Sequence, residues 1–367
     1  MAIVTRLTKA LAHEFQMIRA AVFMPGAGGA LYHAVLPMNR CLSVGDYIVS
    51  ANGMFFAVIE ADGKLRVYRG SGLERHQGLL WESTRGAPAT RCFALVQTDG
   101  NFCIYRGTDL SHNEGWVWGT QLTADGGQFY AHLQDDGNFA ICKGSGPADH
   151  GGVVWSSGVS DPVARIDEVH GIDYALASAK ITYARPSDLY RETVNNGNAH
   201  TQTSLISSSV TVADTAAWND QLGIDTPAPA GYKGPVPVVS GARVTLSSDV
   251  GHLYTRNGAS TTSKTWGFNA PVEVPPRSSM MCLVTAVRSS VMVPYTLRGV
   301  FTLRSGARVA GSIGGTFSGS NSHDLSVTLT TYDDRPDSRY SVSRPLTPMP
   351  SIVGPAVTHP ADARFYQ

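Results

Sequence analysis

Charged side chains are scarce in this chain. Asp, Glu, Lys and Arg make up 16% of its 367 residues, and 29 basic residues balance 29 acidic ones. A net charge of zero offers no basic stripe for nucleic acid and no polybasic patch for an anionic bilayer, so no nucleic-acid partner is expected. Cysteine is sparse as well. Cys41, Cys92, Cys103, Cys142 and Cys282 form no CxxC pair and leave an odd count, which speaks against a disulfide framework and against a zinc site. The apolar runs are too short for a transmembrane helix. No GxSxG, HExxH or Walker sequence occurs, so neither enzymatic activity nor a cofactor is expected. Lys9, His13, Glu14 and Arg19 interrupt the apolar core that a signal peptide needs. The expectation is a protein secreted or released by a non-classical route that acts at a target-cell membrane.

What is abundant is Ser, Thr, Gly and Val, a composition that suits short strands and many turns. The exception is the start of the chain. Leu7, Leu11, Phe15, Ile18 and Val22 recur at three- and four-residue spacing, which predicts an amphipathic helix within segment 1–40.

The next stretch repeats itself. Glu60, Gln97 and Gln134 stand 37 residues apart, as do Trp81, Trp118 and Trp155, and Gly78, Gly115 and Gly152. Phe56, Phe93 and Tyr130 keep the same register. Each unit reads as a strand, an Asp-Gly turn, a second strand, a variable loop and a strand containing Trp. No such unit can bury a face alone, so the three are expected to pool their tryptophans in one core.

QTDGNFCIY at 97–105 and its echo QDDGNFAIC at 134–142 carry a resemblance. They resemble the Gln-x-Asp-x-Asn-x-Val-x-Tyr motif of monocot mannose-binding, bulb-type lectins. The resemblance spans 41–158 and implies a three-sheet β-prism whose motif side chains grip sugar hydroxyls. Carried over by residue, the second repeat supplies Gln97, Asp99, Asn101 and Tyr105, with Cys103 in place of Val. The third supplies Gln134, Asp136 and Asn138, with Ala140 and Cys142 in place of Val and Tyr. The first keeps only Asp62 and Tyr68, with Glu60, Lys64 and Arg66 as departures. Amide and carboxylate groups offer the donors and acceptors that vicinal hydroxyls require. The same groups could instead serve only to stabilise their hairpins. Gly63, Gly100 and Gly137 stand where the family usually has Cys, so its internal disulfide is expected to be missing. Sugar competence is expected to fall from the second repeat to the third to the first.

Beyond residue 158 the pattern changes. In SVTVADTAAWNDQLGID, Val210, Val212, Ala216, Trp218, Leu222 and Ile224 share one parity, interrupted by Asp214 and Asp220. After the Pro/Gly-dense stretch 226–235, Val236, Val238, Val244 and Leu246 share one parity again. The reading is an amphipathic hairpin with its tip at 226–235, each arm long enough to cross a bilayer as a tilted strand. A single hairpin has unpaired edges in lipid, so spanning would need several copies closed into a barrel. The alternative is a long hairpin with one face on a core.

TQTSLISSSVTV before this hairpin, STTSKTW after it, and Val274, Pro275 and Pro276 in KTWGFNAPVEVPPRSS resemble, in their order, the aerolysin-type β-pore-forming toxins over about 165–335. That resemblance implies long twisted strands, ring assembly and an inserting segment at 204–254, with Asp225, Arg243 and Asp249 tuning ion selectivity from the lumen.

The expected fold class is therefore all-β: a three-fold prism at 41–158, an elongated aerolysin-like module at 159–345 and a Pro-rich tail at 346–367. The expected partners are cell-surface glycans of mannose type, the target-cell membrane, and further copies of this chain as a homo-oligomer in the pore state. The alternative function is a non-lytic lectin whose second half is an oligomerisation scaffold.

Overall fold

The computed structural model describes residues 30–87, 91–220, 222, 232–248, 252–254, 257–333 and 340–345. The N-terminal helix, the Pro-rich tail, Ile224, Asp225 and Asp249 lie outside the described residues. Strands dominate what is described, joined by three single-turn 3₁₀ helices. The described residues form two compact units. One holds the residues up to His170 and those of 298–313. The other holds 171–223, 227–297 and the residues from 314 onward.

The first unit is a prism of three sheets. One runs in the order Leu31–His33, Tyr47–Val49, Phe55–Ile59, Leu65–Gly70, His76–Glu82. The second runs Asn113–Gly119, Phe102–Gly107, Cys92–Val96, Leu42–Ser43, and the third Asp149–Ser156, Phe139–Gly146, Phe129–Leu133, Val35–Pro37. Residues 31–37 thus lend edge strands to two sheets, although they lie ahead of the 37-residue register. Trp81, Trp118 and Trp155 meet as expected, with ring centroids 5.9, 5.9 and 6.1 Å apart in edge-to-face pairs. Such pairs contribute about 0.5–1.5 kcal/mol each beyond the area they bury. Phe55–Ile59 and Cys92–Val96 are buried at every position. Strands covered on both faces lose the period-two signal, which is why the repeat, not alternation, reveals them.

Each repeat turns on Asp-Gly. Gly63, Gly100 and Gly137 have φ of 73°, 81° and 84°. A side chain is strained in that left-handed region. At Gly137 a Cβ would also meet Leu80 and Phe55. The Asp before each glycine accepts a backbone N–H two residues on: Lys64 N to Asp62 at 3.1 Å, and Asn101 N to Asp99 and Asn138 N to Asp136 at 3.0 Å. This is the Asx-turn bond.

The second unit is built on long strands, three of which (Val163–Tyr174, Ser278–Leu303 and Arg308–Asp333) begin or end among residues of the first. The sheet order is Val163–Tyr174, Ser278–Leu303, Arg308–Asp333, Gln202–Asp220, Gly258–Val274, with Lys180–Tyr183 and Ser187–Asn196 also pairing Ser278–Leu303. Along 202–220 the period of two predicted from sequence holds; on the second arm it does not, since Pro237 and Val239 of the other parity are buried and Leu246 is exposed. Val210, Val212, Ala216 and Trp218 are buried, whereas Ser209 and Thr211 are exposed. The pairing differs from the expected one. Strand 202–220 pairs residue for residue with Gly258–Val274, from Gln202 opposite Val274 to Trp218 opposite Gly258. The second expected arm forms its own short hairpin, Val236–Ser240 with Arg243–Ser247, turning at Gly241 instead of 226–235. Alternation gives the face of 202–220 but not its partner. Seventeen matched pairs with cross-strand hydroxyl contacts such as Thr211 to Thr265 at 3.0 Å outweigh the shorter sequence separation.

Candidate functional site

The nine motif residues expected from sequence sit on the three Asp-Gly hairpins of the prism, and the three surroundings differ. In the second repeat Gln97, Asp99, Asn101 and Tyr105 are all half-buried, within reach of solvent. Gln97 Nε2 donates to the Tyr105 hydroxyl at 3.0 Å, and Cys103 Sγ donates to Gln97 Oε1 at 3.4 Å. Burial pushes the Cys103 thiol above its ordinary range, so it remains a neutral donor. Asn101 Oδ1 accepts the Thr120 hydroxyl at 3.0 Å. The Tyr105 ring stacks on Phe93 at 5.6 Å, fixing the floor. Asp99 Oδ1 is committed to its turn, while Oδ2 takes no hydrogen bond among the described residues. The pocket therefore offers a carboxylate acceptor, an amide donor and an aromatic face.

The third repeat is partly closed. Asp136 Oδ2 accepts Ser160 Oγ at 2.7 Å, and Asn138 Nδ2 donates to Gln134 Oε1 at 2.9 Å. Cys142 is buried, and beside it the Tyr130 hydroxyl meets His150 Nδ1 at 3.0 Å.

In the first repeat a charge network occupies the corresponding place. The Arg66 guanidinium contacts Glu60 at 2.7 Å, Asp62 at 2.6 Å and Glu82 at 3.0 Å, and Lys64 reaches Glu82 at 2.7 Å. The hydrogen bond from Arg66 holds the Asp62 carboxyl below the usual range, and Lys64 does the same for Glu82. Tyr68 donates its hydroxyl to Glu60, and its ring lies between Phe56 at 5.2 Å and His76 at 4.9 Å. Asp62 and Tyr68 are both committed to these neighbours.

One set of supporting residues went unread in the sequence. Ser83, Thr120 and Ser157 share the 37-residue register, and their hydroxyls accept Leu65 N, Phe102 N and Phe139 N at 3.2, 3.1 and 3.1 Å. Thr120 and Ser157 also donate to the motif Asn of their own repeat, Asn101 and Asn138, at 3.0 Å. The register itself is the signal that reveals them.

In the second unit Asn321 fastens the short hairpin. Asn321 accepts Val239 N with Oδ1 and donates Nδ2 to Val239 O, both at 2.8 Å. Val236 and Val239 are buried, Val238 and Val244 half-buried, and Leu246 is 46% exposed. Asp214, Ala216, Val236, Pro237, His252 and Phe317 line a narrow cleft beneath it. Asp214, an interruption in the sequence pattern, is buried. It accepts Ser322 N at 3.1 Å and lies 3.4 Å from Lys264 Nζ. His252 is buried on Ser260 Oγ at 3.1 Å and Thr262 Oγ1 at 3.4 Å, and burial lowers its pKa. Leu222, expected on the inserting face, is half-buried, its N–H bonded to Asp220 at 3.1 Å.

No protein-family model matches this sequence, and no curated protein matches it. Solved structures similar to the chain include lectins and toxins. A monomeric monocot mannose-binding lectin of Gastrodia elata is 24% identical, with 35% of this chain and 98% of that chain covered and a TM-score of 0.28. The mannose-specific agglutinin of snowdrop, complexed with methyl-α-D-mannoside, is 24% identical over 34% of this chain and 95% of that one, TM-score 0.25. The parasporin-2 toxin of Bacillus thuringiensis is 16% identical over 49% and 74%, TM-score 0.25. The lamprey immune protein covers more of the chain, 84% against 97% of its own length, at 14% identity and a TM-score of 0.34. The resemblance read from the sequence, lectin repeats fused to an aerolysin-like module, has a counterpart in each kind.

Proposed function

We propose that this chain is a glycan-targeted pore-forming protein. The second-repeat pocket holds a mannose-type residue on a cell-surface glycan, copies of the chain assemble at that membrane, and each contributes the segment between its paired long strands to a β-barrel. The observation that carries the reading is the second unit's register. Gln202–Asp220 and Gly258–Val274 are already zipped together, and the described part of the segment between them holds the short hairpin Val236–Ser240 with Arg243–Ser247. Insertion then requires release of one short hairpin while the long pairing stays intact. The sugar reading rests on the second repeat, where Asp99 keeps an oxygen for a hydroxyl and Tyr105 keeps a solvent-accessible ring.

Leakage of a dye from liposomes bearing mannosylated lipid tests the pore. The intact protein should empty them. A Val239→Cys/Asn321→Cys double variant should do so only after reduction, because the bridge ties the short hairpin to its anchor. No leakage under protease, acid or glycan-bearing conditions overturns the pore reading and leaves a non-lytic lectin. Because one Asp99 oxygen braces the turn, Asn101→Ala is the cleaner probe of the pocket. It should abolish mannose binding while leaving the melting temperature within a few degrees of the parent.

A further inference from the structure

The first and third repeats close over their aromatic floor with a histidine. His76 lies 4.9 Å from the Tyr68 ring and His150 6.5 Å from the Tyr130 ring. The second repeat has Asn113 at that register, and Asn113 turns its Oδ1 to Gly115 N at 2.8 Å. The neighbouring outward position also differs. Leu79, Trp116 and Val153 occupy it in the three repeats, 44%, 43% and 49% exposed. Each faces the motif strand: Leu79 opposite Tyr68, Trp116 opposite Tyr105, and Val153 opposite Cys142. Directly opposed residues of an antiparallel pair project from the same face. An aromatic ring at this position thus coincides with the repeat whose polar motif is most complete and whose floor carries no histidine.

A large exposed indole beside an open polar pocket has a chemical use. Its face attracts the weakly positive C–H face of a sugar ring, and its stiff side chain loses little entropy on binding. Trp116 sits one strand over from Tyr105, about 4.8 Å away, comparable to the step between linked hexose rings. We propose that Trp116 forms a second subsite, so that the second repeat takes a linked pair of hexoses: one ring on Gln97, Asp99, Asn101 and Tyr105, the next stacked on Trp116. The inference rests on the carbohydrate reading above and adds selectivity for an oligosaccharide over a single sugar.

Calorimetric titration of the full chain with methyl α-mannoside and with an α-linked mannobiose tests it. The parent should bind the disaccharide about tenfold more tightly than the monosaccharide, the scale of one good ring-stacking contact. Trp116→Ala should erase that ratio while leaving monosaccharide affinity within twofold, and Trp116→Phe should restore part of it. An unchanged ratio in Trp116→Ala overturns the subsite while leaving the pocket standing. Binding of neither sugar by the parent overturns both. Loss of both affinities in Trp116→Ala with an unchanged circular-dichroism spectrum overturns the subsite too, since Trp116 would then belong to the first ring's site.

Discussion

Arg66, Cys103 and Ala140 share one register position, the place of the motif Val, and the three pockets follow from them. A guanidinium needs counter-charges when drawn out of solvent, and Glu60, Asp62 and Glu82 supply them, which consumes the groups a sugar would use. Cys103 is small enough to leave the second pocket open. Arg66→Ala removes the charge that reconciles three clustered carboxylates and should cost the first unit about 1–3 kcal/mol, read as a fall in its melting temperature. Mannose binding at the second repeat should not change. The sign of the pH effect follows from Asp62 and Glu82, both held below the usual carboxylate range. Their contribution is present above the unfolded value of about 4 and lost as pH falls through the lowered ones. The parent's acid-side loss of stability should therefore be shallower in Arg66→Ala. The charged substitutions at 60, 64 and 66 were plain in the sequence as departures from a sugar motif. That they pair with one another, and enlist Glu82 from the adjacent strand, was not, because pairing across strands depends on register.

Under the proposed function, the short hairpin 236–247 is the element that must be released. Two hydrogen bonds to Asn321 hold Val239, so Asn321→Ala should loosen the hairpin by about 1–3 kcal/mol and speed limited proteolysis within 236–247. His252 lies under it with Ser260, Thr262, Asp214 and Lys264 around it. Burial lowers its pKa, Asp214 opposes that shift and Lys264 reinforces it. A depressed folded pKa means that the neutral ring's contribution is present above the unfolded value of about 6.5 and lost as pH falls through the folded value. Acid should thus weaken the hairpin's seat. The protection factors of the Val238 and Val239 amides against hydrogen exchange should fall between pH 7 and 5 in the parent and stay flat in His252→Asn. Equal pH dependence in both would assign the effect to other groups. Alternation made the buried face of 202–220 legible, Trp218 and Val212 included. It left the partner strand open, since Val236 and Trp266 are equally good apolar partners for Val210, and 17 pairs in register decide it.

At the scale of the molecule, the 37-residue interval implies three small sheets packed together, and the Trp cluster follows from it. What stayed hidden was of two kinds: the edge strands of 31–37, which lie ahead of the register, and the polar Thr120 and Ser157 props, which share it but bond only once the strands are paired. Under the proposed function, a sugar reader joined to a membrane-active half would raise the local concentration of chain at glycan-bearing surfaces. Liposomes carrying mannosylated lipid should therefore leak at a roughly 10- to 100-fold lower protein concentration than bare ones, and free mannose should abolish that advantage.

The excursion between the zipped strands also stores length. Residues 221–257 divide into arms of roughly eighteen residues, and at about 3.3 Å per residue each would reach about 60 Å when extended. A bilayer's hydrocarbon core is about 30 Å thick. Under the proposed function, that length suffices for two complete crossings, with reach left over for a turn beyond the far leaflet, and no pair between Gln202–Trp218 and Gly258–Val274 need be broken to provide it.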